Sequence, residues 1–275
     1  MKSEDFDLLA NLVRGKSGLV LTPDKSYLIE SRLVPVTRKF GMKAIEDIVA
    51  AIRLRNDQAV ARAVTEAMTT NETLFFRDTK PFEQFKRVVM PNLMKARGSR
   101  NSLRIWCAAC SSGQEPYSLA MSLKELGAQV AGWKFEIVAT DLSAEMIERG
   151  KLGIYSQFEV QRGLPIQMLM KYFKQADNDR WQISSELRSM VQFREFNLLE
   201  DFRSLGQFDV VFIRNVLIYF DPPTKAVVLN KVAQLMPEDG YLYLGGAETV
   251  LGVTDRFEAV SGERGLYKPS AKRLG

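Results

Sequence analysis

Two acidic residues stand where a parallel α/β sheet would present them to a ligand. Glu115 lies in Ala108-Ala109-Cys110-Ser111-Ser112-Gly113-Gln114-Glu115-Pro116-Tyr117, and Asp141 ends Val138-Ala139-Thr140-Asp141. Small residues let the first stretch turn tightly and approach a ligand, and Pro116 suits the first turn of a helix, where its missing N–H is no loss. With one glycine the stretch is a poor dinucleotide fingerprint. A G-x-G-x-x-G loop holds pyrophosphate on backbone N–H groups, whereas a carboxylate at the mouth repels phosphate and attracts a cation such as an ammonium. Asp141 either caps the helix that opens at Leu142 or Ser143 or accepts hydrogen bonds from ribose hydroxyls. Acids at both loops, serving an ammonium and a ribose together, fit S-adenosylmethionine better than NAD or ATP.

The chain has no histidine and two cysteines. The first absence removes the histidine triad, the imidazole base and every histidine-containing zinc site. Cys107 and Cys110 form one C-x-x-C with no second pair to complete a four-thiolate site, so no metal is expected. The run Leu103-Arg104-Ile105-Trp106 puts Cys107 at the end of a buried strand, where the pair reads as small filler rather than as a redox motif at a helix start.

These residues need a sheet behind them. Leu103–Cys107, Phe135–Thr140, Val191–Phe196, Phe208–Arg214 and Tyr241–Gly245 are short apolar or alternating runs, mostly separated by helical stretches, which predicts a mostly parallel sheet with helices on both faces. Ligands bind beyond the carboxyl ends of such strands. Before the sheet, up to about residue 70, apolar positions recur at helical spacing (Phe6, Leu9, Val13; Ile45, Ile48, Val49, Ile52; Val60, Val64, Met68), giving a small all-α domain. Thr22-Pro23-Asp24 has the form of a helix start, and Pro35 is expected to kink the helix it opens. At 275 residues, 46% hydrophobic and 26% charged, the chain can bury about three quarters of its unfolded surface without disulfides or a structural metal. Free thiols, no apolar run of about 18 residues and no signal-peptide core predict a cytoplasmic protein with no membrane insertion. The net charge of +5 is a weak hint of acidic partners.

Three strings carry a resemblance: Asn71-Glu72-Thr73-Leu74-Phe75-Phe76-Arg77 ahead of the sheet, Ala108 to Ser118 after its first strand, and Arg214-Asn215-Val216-Leu217-Ile218-Tyr219-Phe220 after a later one. In this order they resemble the CheR family of chemotaxis-receptor protein-glutamate O-methyltransferases, over nearly the whole chain. The resemblance implies a helical domain over 1–70, a methyltransferase domain over 71–275 with a small β-subdomain inserted at about 151–190, and S-adenosylmethionine as cofactor, leaving S-adenosylhomocysteine. It implies cofactor contacts from Asn71, Thr73, Arg77, Glu115 and Asp141, from Asn197 and Leu198 on the adenine side, and from Arg214 and Asn215 near the methionine end. Arg77 and Tyr219 resemble the residues facing the methyl group and the incoming carboxylate. Phe75, Phe76 and Phe220 read as core.

The missing histidine is compatible with this chemistry. A hydroxyl or ammonium acceptor must lose a proton, and a positioned base for that step accelerates it by about 10²–10⁴. A glutamate, with a reference pKa of about 4.3, is already ionised at neutral pH. What remains is alignment, where effective molarities of about 10⁵–10⁸ M correspond to about 7–11 kcal/mol.

Asp221-Pro222-Pro223-Thr224 superficially matches a base-binding box of nucleic-acid methyltransferases. It does not follow the strand end near Arg214 directly and offers no aromatic ring, so it reads as a helix N-cap with prolines in the first turn, and no nucleic-acid partner is expected. In the insertion, Lys174 to Arg180 forms a short turn without glycine. Some CheR relatives tether a receptor's C-terminal pentapeptide with a glycine-containing loop here, so independence of the pentapeptide is expected. Arg32, Arg38 and Lys39 in the helical domain are either a solvated face or a docking surface for the acidic cytoplasmic domain of chemoreceptors. A monomer is expected, with Ser270 to Gly275 as a loose basic tail. The alternative to an enzyme is a non-catalytic cofactor-sensing or receptor-binding adaptor of the same fold.

Overall fold

A computed structural model describes residues 1–98 and 100–271. The chain forms two compact units, Met1–Thr70 with Tyr219–Thr224, and Asn71–Ile218 with the chain from Lys225 onward.

The helical unit is built on α1 (Ser3–Ser17), α2 (Ser26–Lys39), α3 (Ile45–Arg55) and α4 (Gln58–Met68). Apolar residues at helical spacing, among them Leu9, Val13, Ile29, Leu33, Ile48, Val60 and Val64, meet in one core. Gly18, at φ 77°, ends α1, and its N–H returns to the Arg14 carbonyl, a left-handed cap that glycine adopts without strain. Asp57 caps α4 by accepting from the N–H groups of Ala59 and Val60. The chain enters α2 through a 3₁₀ turn at Pro23–Lys25, and Thr22 makes no side-chain capping bond there. The helix then runs unbroken through Pro35, which is exposed. The segment Tyr219–Thr224 joins this unit: the Val20 N–H donates to the Tyr219 carbonyl at 2.9 Å and Arg14 pairs with Asp221 at 2.5 Å.

The second unit is a seven-stranded sheet in the order β6-β2-β1-β7-β8-β10-β9. Its strands are β1 (Ser102–Ala108), β2 (Lys134–Asp141), β6 (Val191–Glu195), β7 (Val210–Ile213), β8 (Tyr241–Leu244), β9 (Phe257–Ala259) and β10 (Leu266–Pro269). The first five are mutually parallel, and β10 runs antiparallel to β8 and β9. All four residues of β7 are buried, as expected of a parallel strand covered on both faces. The helices α5 (Lys80–Gln84) and α6 (Met90–Ala96), joined by a π turn, precede β1; α7 (Gln114–Glu125) follows it and α8 (Ala144–Leu152) follows β2.

Between α8 and β6 lies the insertion: β3 (Ile154–Ser156), β4 (Phe173–Ala176) and β5 (Arg180–Ile183) pair antiparallel in the order β3-β5-β4, accompanied by α9 (Gln157–Gln161), α10 (Ile166–Tyr172) and α11 (Ser185–Ser189). The β4–β5 turn needs left-handed residues, and Asn178 (φ 59°) and Asp179 (φ 52°) supply them, which is why no glycine is required. The last helix, α12 (Pro222–Gln234), opens where Asp221 accepts from the Thr224 N–H at 2.9 Å, the capping role read from the sequence.

At the C-terminus the expected loose tail does not begin at Ser270. That residue is buried, and its N–H donates to the Arg256 carbonyl. Residues 272–275, the rest of that tail, lie outside the described residues.

Candidate cofactor site and cleft

The chain lays down β1, β2 and β6 outward in one direction and then returns to place β7 on the other side of β1. The reversal marks the switch point beyond the carboxyl ends of β1 and β7, where α/β folds hold ligands. Glu115 follows β1 and Arg214 follows β7. They meet across this point, with Arg214 Nη1 2.7 Å from Glu115 Oε2.

Arg214 is almost fully buried, with 2% of its side chain exposed. Its Nη2 donates to Asp78 at 2.6 Å and to the Arg77 carbonyl at 3.0 Å, and its Nε finds no partner among the described residues. To the sequence reading of Glu115 as an acid that attracts a cation the structure adds a protein partner: one of its oxygens is held by Arg214. Its Oε1 has no protein partner among the described residues and remains able to accept from an ammonium. Burial is the largest influence on the Glu115 carboxyl and pushes it above the ordinary glutamate range, with Arg214 opposing.

The loop between β1 and α7 is wound tightly. Ala109 (φ 56°) and Ser111 (φ 49°) are left-handed without being glycine, a conformation that concentrates at functional loops. At Gly113 (φ 93°) a Cβ would come within 2.9 Å of the Phe193 ring. Asp141 braces this loop: one oxygen accepts from the Ser111 N–H at 2.8 Å and the other from the Ser143 N–H at 2.9 Å. Ser143, not Asp141, caps α8. Of the two alternatives read from the sequence, the helix cap is therefore not the one that forms: Asp141 braces the β1 loop and the start of α8 from the carboxyl end of β2.

Asn71 contributes its carbonyl to the Ser111 hydroxyl at 2.8 Å, tying the first string to the β1 loop. Thr73 is half-buried. Arg77 donates to the Glu72 carbonyl at 2.9 Å. Phe75 and Phe76 are core, Phe75 edge-on to Tyr155 and Phe173. After β6, Asn197 accepts from the Leu199 N–H at 3.0 Å and Leu198 is buried. Asn215 sits at φ 60°.

Tyr219 and Phe220 belong to the helical unit, where Phe220 is buried and the Tyr219 ring packs on the core. The Tyr219 hydroxyl makes no hydrogen bond among the described residues. Arg32 does not project freely as the docking reading requires: its guanidinium donates to the carbonyls of Met68 (2.6 Å) and Thr69 (3.1 Å) at the end of α4. Arg38 and Lys39 are exposed. Both cysteines are buried free thiols, and burial pushes them well above the ordinary range, the opposite of an activated nucleophile.

Beside Arg214 and Asn215 a cleft of about 560 Å³ opens beyond β7 and β8, bordered also by Asp78, Lys80, Glu248 and Arg264. Sequence reasoning missed this wall, Glu248 above all. It stands in Gly245-Gly246-Ala247-Glu248, and its signal in the sequence is its place in the loop that follows a strand.

The donor set fits S-adenosylmethionine: a Glu115 oxygen with no protein partner among the described residues stands in the loop after β1, and a second carboxylate, Asp141, ends the neighbouring strand β2. Two family models match the chain, that of the CheR methyltransferase all-alpha domain over residues 4–69 and that of the CheR methyltransferase SAM binding domain over residues 71–266. The chain is 42% identical over 267 residues to chemotaxis protein methyltransferase 1 of Pseudomonas aeruginosa, covering 95% of this chain and 96% of that one. It is 39% identical to chemotaxis protein methyltransferase Cher2 of Pseudomonas putida over 95% and 96% of the two chains, and 32% identical to the chemotaxis protein methyltransferase of Salmonella typhimurium over 92% and 86%.

Proposed function

The chain belongs to the CheR methyltransferase family, and on that premise we propose that it transfers a methyl group from S-adenosylmethionine to glutamate side chains of bacterial chemoreceptors, forming glutamate methyl esters. The observation that carries this reading is the pair of acids beside the switch point of the sheet, Glu115 after β1 and Asp141 at the end of β2, in a chain with no histidine to activate any other acceptor.

When bound, the sulfonium supplies an activated methyl group, so the new O–CH₃ bond forms as the S–CH₃ bond breaks, a neutral thioether leaves and no proton moves. Glu115 Oε1 accepts from the cofactor's ammonium, and Asp141 from its ribose hydroxyls. Arg77 binds the cofactor's carboxylate and lends positive potential. Asn71, Thr73, Asn197, Leu198, Arg214 and Asn215 complete the contacts or hold those that make them. Tyr219 donates a hydrogen bond that orients the acceptor glutamate, a role for which its hydroxyl is unengaged. Alignment dominates, because the nucleophile arrives ionised.

Arg38 and Lys39 dock the acidic receptor bundle, without Arg32. The glycine-free β4–β5 turn favours an enzyme independent of a receptor C-terminal pentapeptide, and a low-micromolar Kd for such a peptide would refute that part. The remaining parts of the reading are a cytoplasmic monomer without metal.

The test is transfer of labelled methyl groups to receptor-bearing membranes. Label released by mild base, as an ester requires, supports the proposal. Cofactor binding without transfer leaves the non-catalytic adaptor.

A further inference from the structure

We propose that Glu248 is a positioning residue: its carboxylate clasps the turn after β7 to the loop after β8 and thereby holds Asn215 in the geometry that binds the cofactor. This rests on the reading of Asn215 as a cofactor contact.

The carboxylate is buried, 9% exposed, yet has no ion-pair partner among the described residues. It is satisfied by four main-chain N–H groups. Oε2 accepts from Asn215 at 2.9 Å and Gly245 at 2.7 Å; Oε1 accepts from Val216 at 3.0 Å and Ile218 at 3.2 Å. Three donors come from one loop and one from the other, so the side chain joins the two walls of the cleft.

The clasp begins where the ladder ends. The β7–β8 register closes at Ile213 opposite Leu244, and the next donors on each side, Asn215 and Gly245, turn to Glu248. The sheet does not need the clasp to pair, but the loops need it to stay together. Asn215 takes a left-handed φ of 60°, which asparagine adopts readily, and the turn it makes aims its N–H at the Glu248 carboxylate. The tightness is mutual: a Cβ on Gly245 would lie 2.8 Å from Glu248 Oε2 and 2.9 Å from Asn215 Nδ2. Glycine at 245 is what lets the carboxylate and the Asn215 amide close on one another.

Two substitutions open the clasp from opposite sides. Glu248→Gln keeps the shape but turns an NH₂ toward N–H donors; Gly245→Ala keeps every charge and inserts a methyl group. Binding of S-adenosylhomocysteine is measured by calorimetry for both and for Asn215→Ala, with amide hydrogen exchange followed in each. The expected result is weakening by about tenfold or more in all three, with faster exchange at Asn215, Val216, Ile218 and Gly245 in the two clasp variants and unchanged protection in β1 and β2. A Glu248 that serves the fold alone would lower the melting temperature without moving affinity or localising the exchange. Asn215→Ala weakened while the folded clasp variant or variants bind within about twofold of wild type overturns the inference. Asn215→Ala binding like wild type strikes the underlying reading of Asn215 itself, and the inference falls with it. If Glu248→Gln does not fold, Gly245→Ala decides alone.

Discussion

Arg214 and Glu115, 99 residues apart in the chain, close a 2.7 Å ion pair at the point where the strand order reverses. The acid expected to receive a ligand cation is thus oriented by a buried cation from the neighbouring loop, and only its second oxygen faces outward duty. The arrangement fixes direction as well as charge.

The burial of that acid gives a pH signature. Burial raises the Glu115 carboxyl above the ordinary glutamate range, so the folded state holds its proton more tightly than the unfolded chain does. The group's contribution to stability is present below the unfolded pKa and declines as pH rises through the folded one. Ammonium binding has the opposite sign, since it needs the ionised form. Calorimetric affinity for S-adenosylhomocysteine should rise with pH across that window in wild type and show no such rise in Glu115→Gln.

Tyr219→Phe removes a hydroxyl with no protein partner among the described residues, so stability should change by no more than about 0.5 kcal/mol. A hydrogen bond to a charged acceptor is about 1.5–3 kcal/mol, so kcat should fall about 10- to 100-fold with cofactor affinity unchanged. Steady-state kinetics at wild-type turnover would remove Tyr219 from the reaction.

Arg32 and Arg38, six residues apart on α2, should behave differently. Arg32→Ala strips the α4 carbonyls of a charged donor and should cost about 1–3 kcal/mol in thermal or urea unfolding. Arg38→Glu should leave stability intact and raise KM for receptor, with the effect shrinking as salt shortens the screening length to about 10 Å at 0.1 M. An unchanged KM at low salt would reject docking through Arg38.

At the amino ends of β1 and β7, Arg97 pairs with Asp209 and Asp239, and Asp209 also accepts from the Arg104 N–H at 2.7 Å. Arg97→Ala leaves the buried Asp209 without its cation and should cost about 3–5 kcal/mol. A lower urea midpoint with unaltered cofactor affinity is expected, because this cluster lies at the opposite ends of β1 and β7 from the switch point.

The elements were legible because period and punctuation are local. Leu103–Cys107 lies inside β1 and Tyr241–Gly245 overlaps β8 to within one residue, and Asp221 caps the helix its prolines announce. Pairings between distant side chains are not local, and there the sequence was silent. Nothing near Arg214 in the chain indicates Glu115 or Asp78, nothing near Arg32 indicates the end of α4, and Glu248 is recognisable only once the β7–β8 register has brought four N–H groups around it. What was illegible is the support of the site; the residues proposed to face the ligand were named from strand ends and from resemblance, both of which are local in the chain.

The central claim is that the switch point of the sheet receives S-adenosylmethionine through Glu115 and Asp141. Calorimetry of the folded protein with S-adenosylhomocysteine tests it most directly. The account predicts one site per chain, weakened by Asp141→Ala and by Glu115→Gln. Absence of binding heat at any of several temperatures, with the fold verified by circular dichroism, would contradict it.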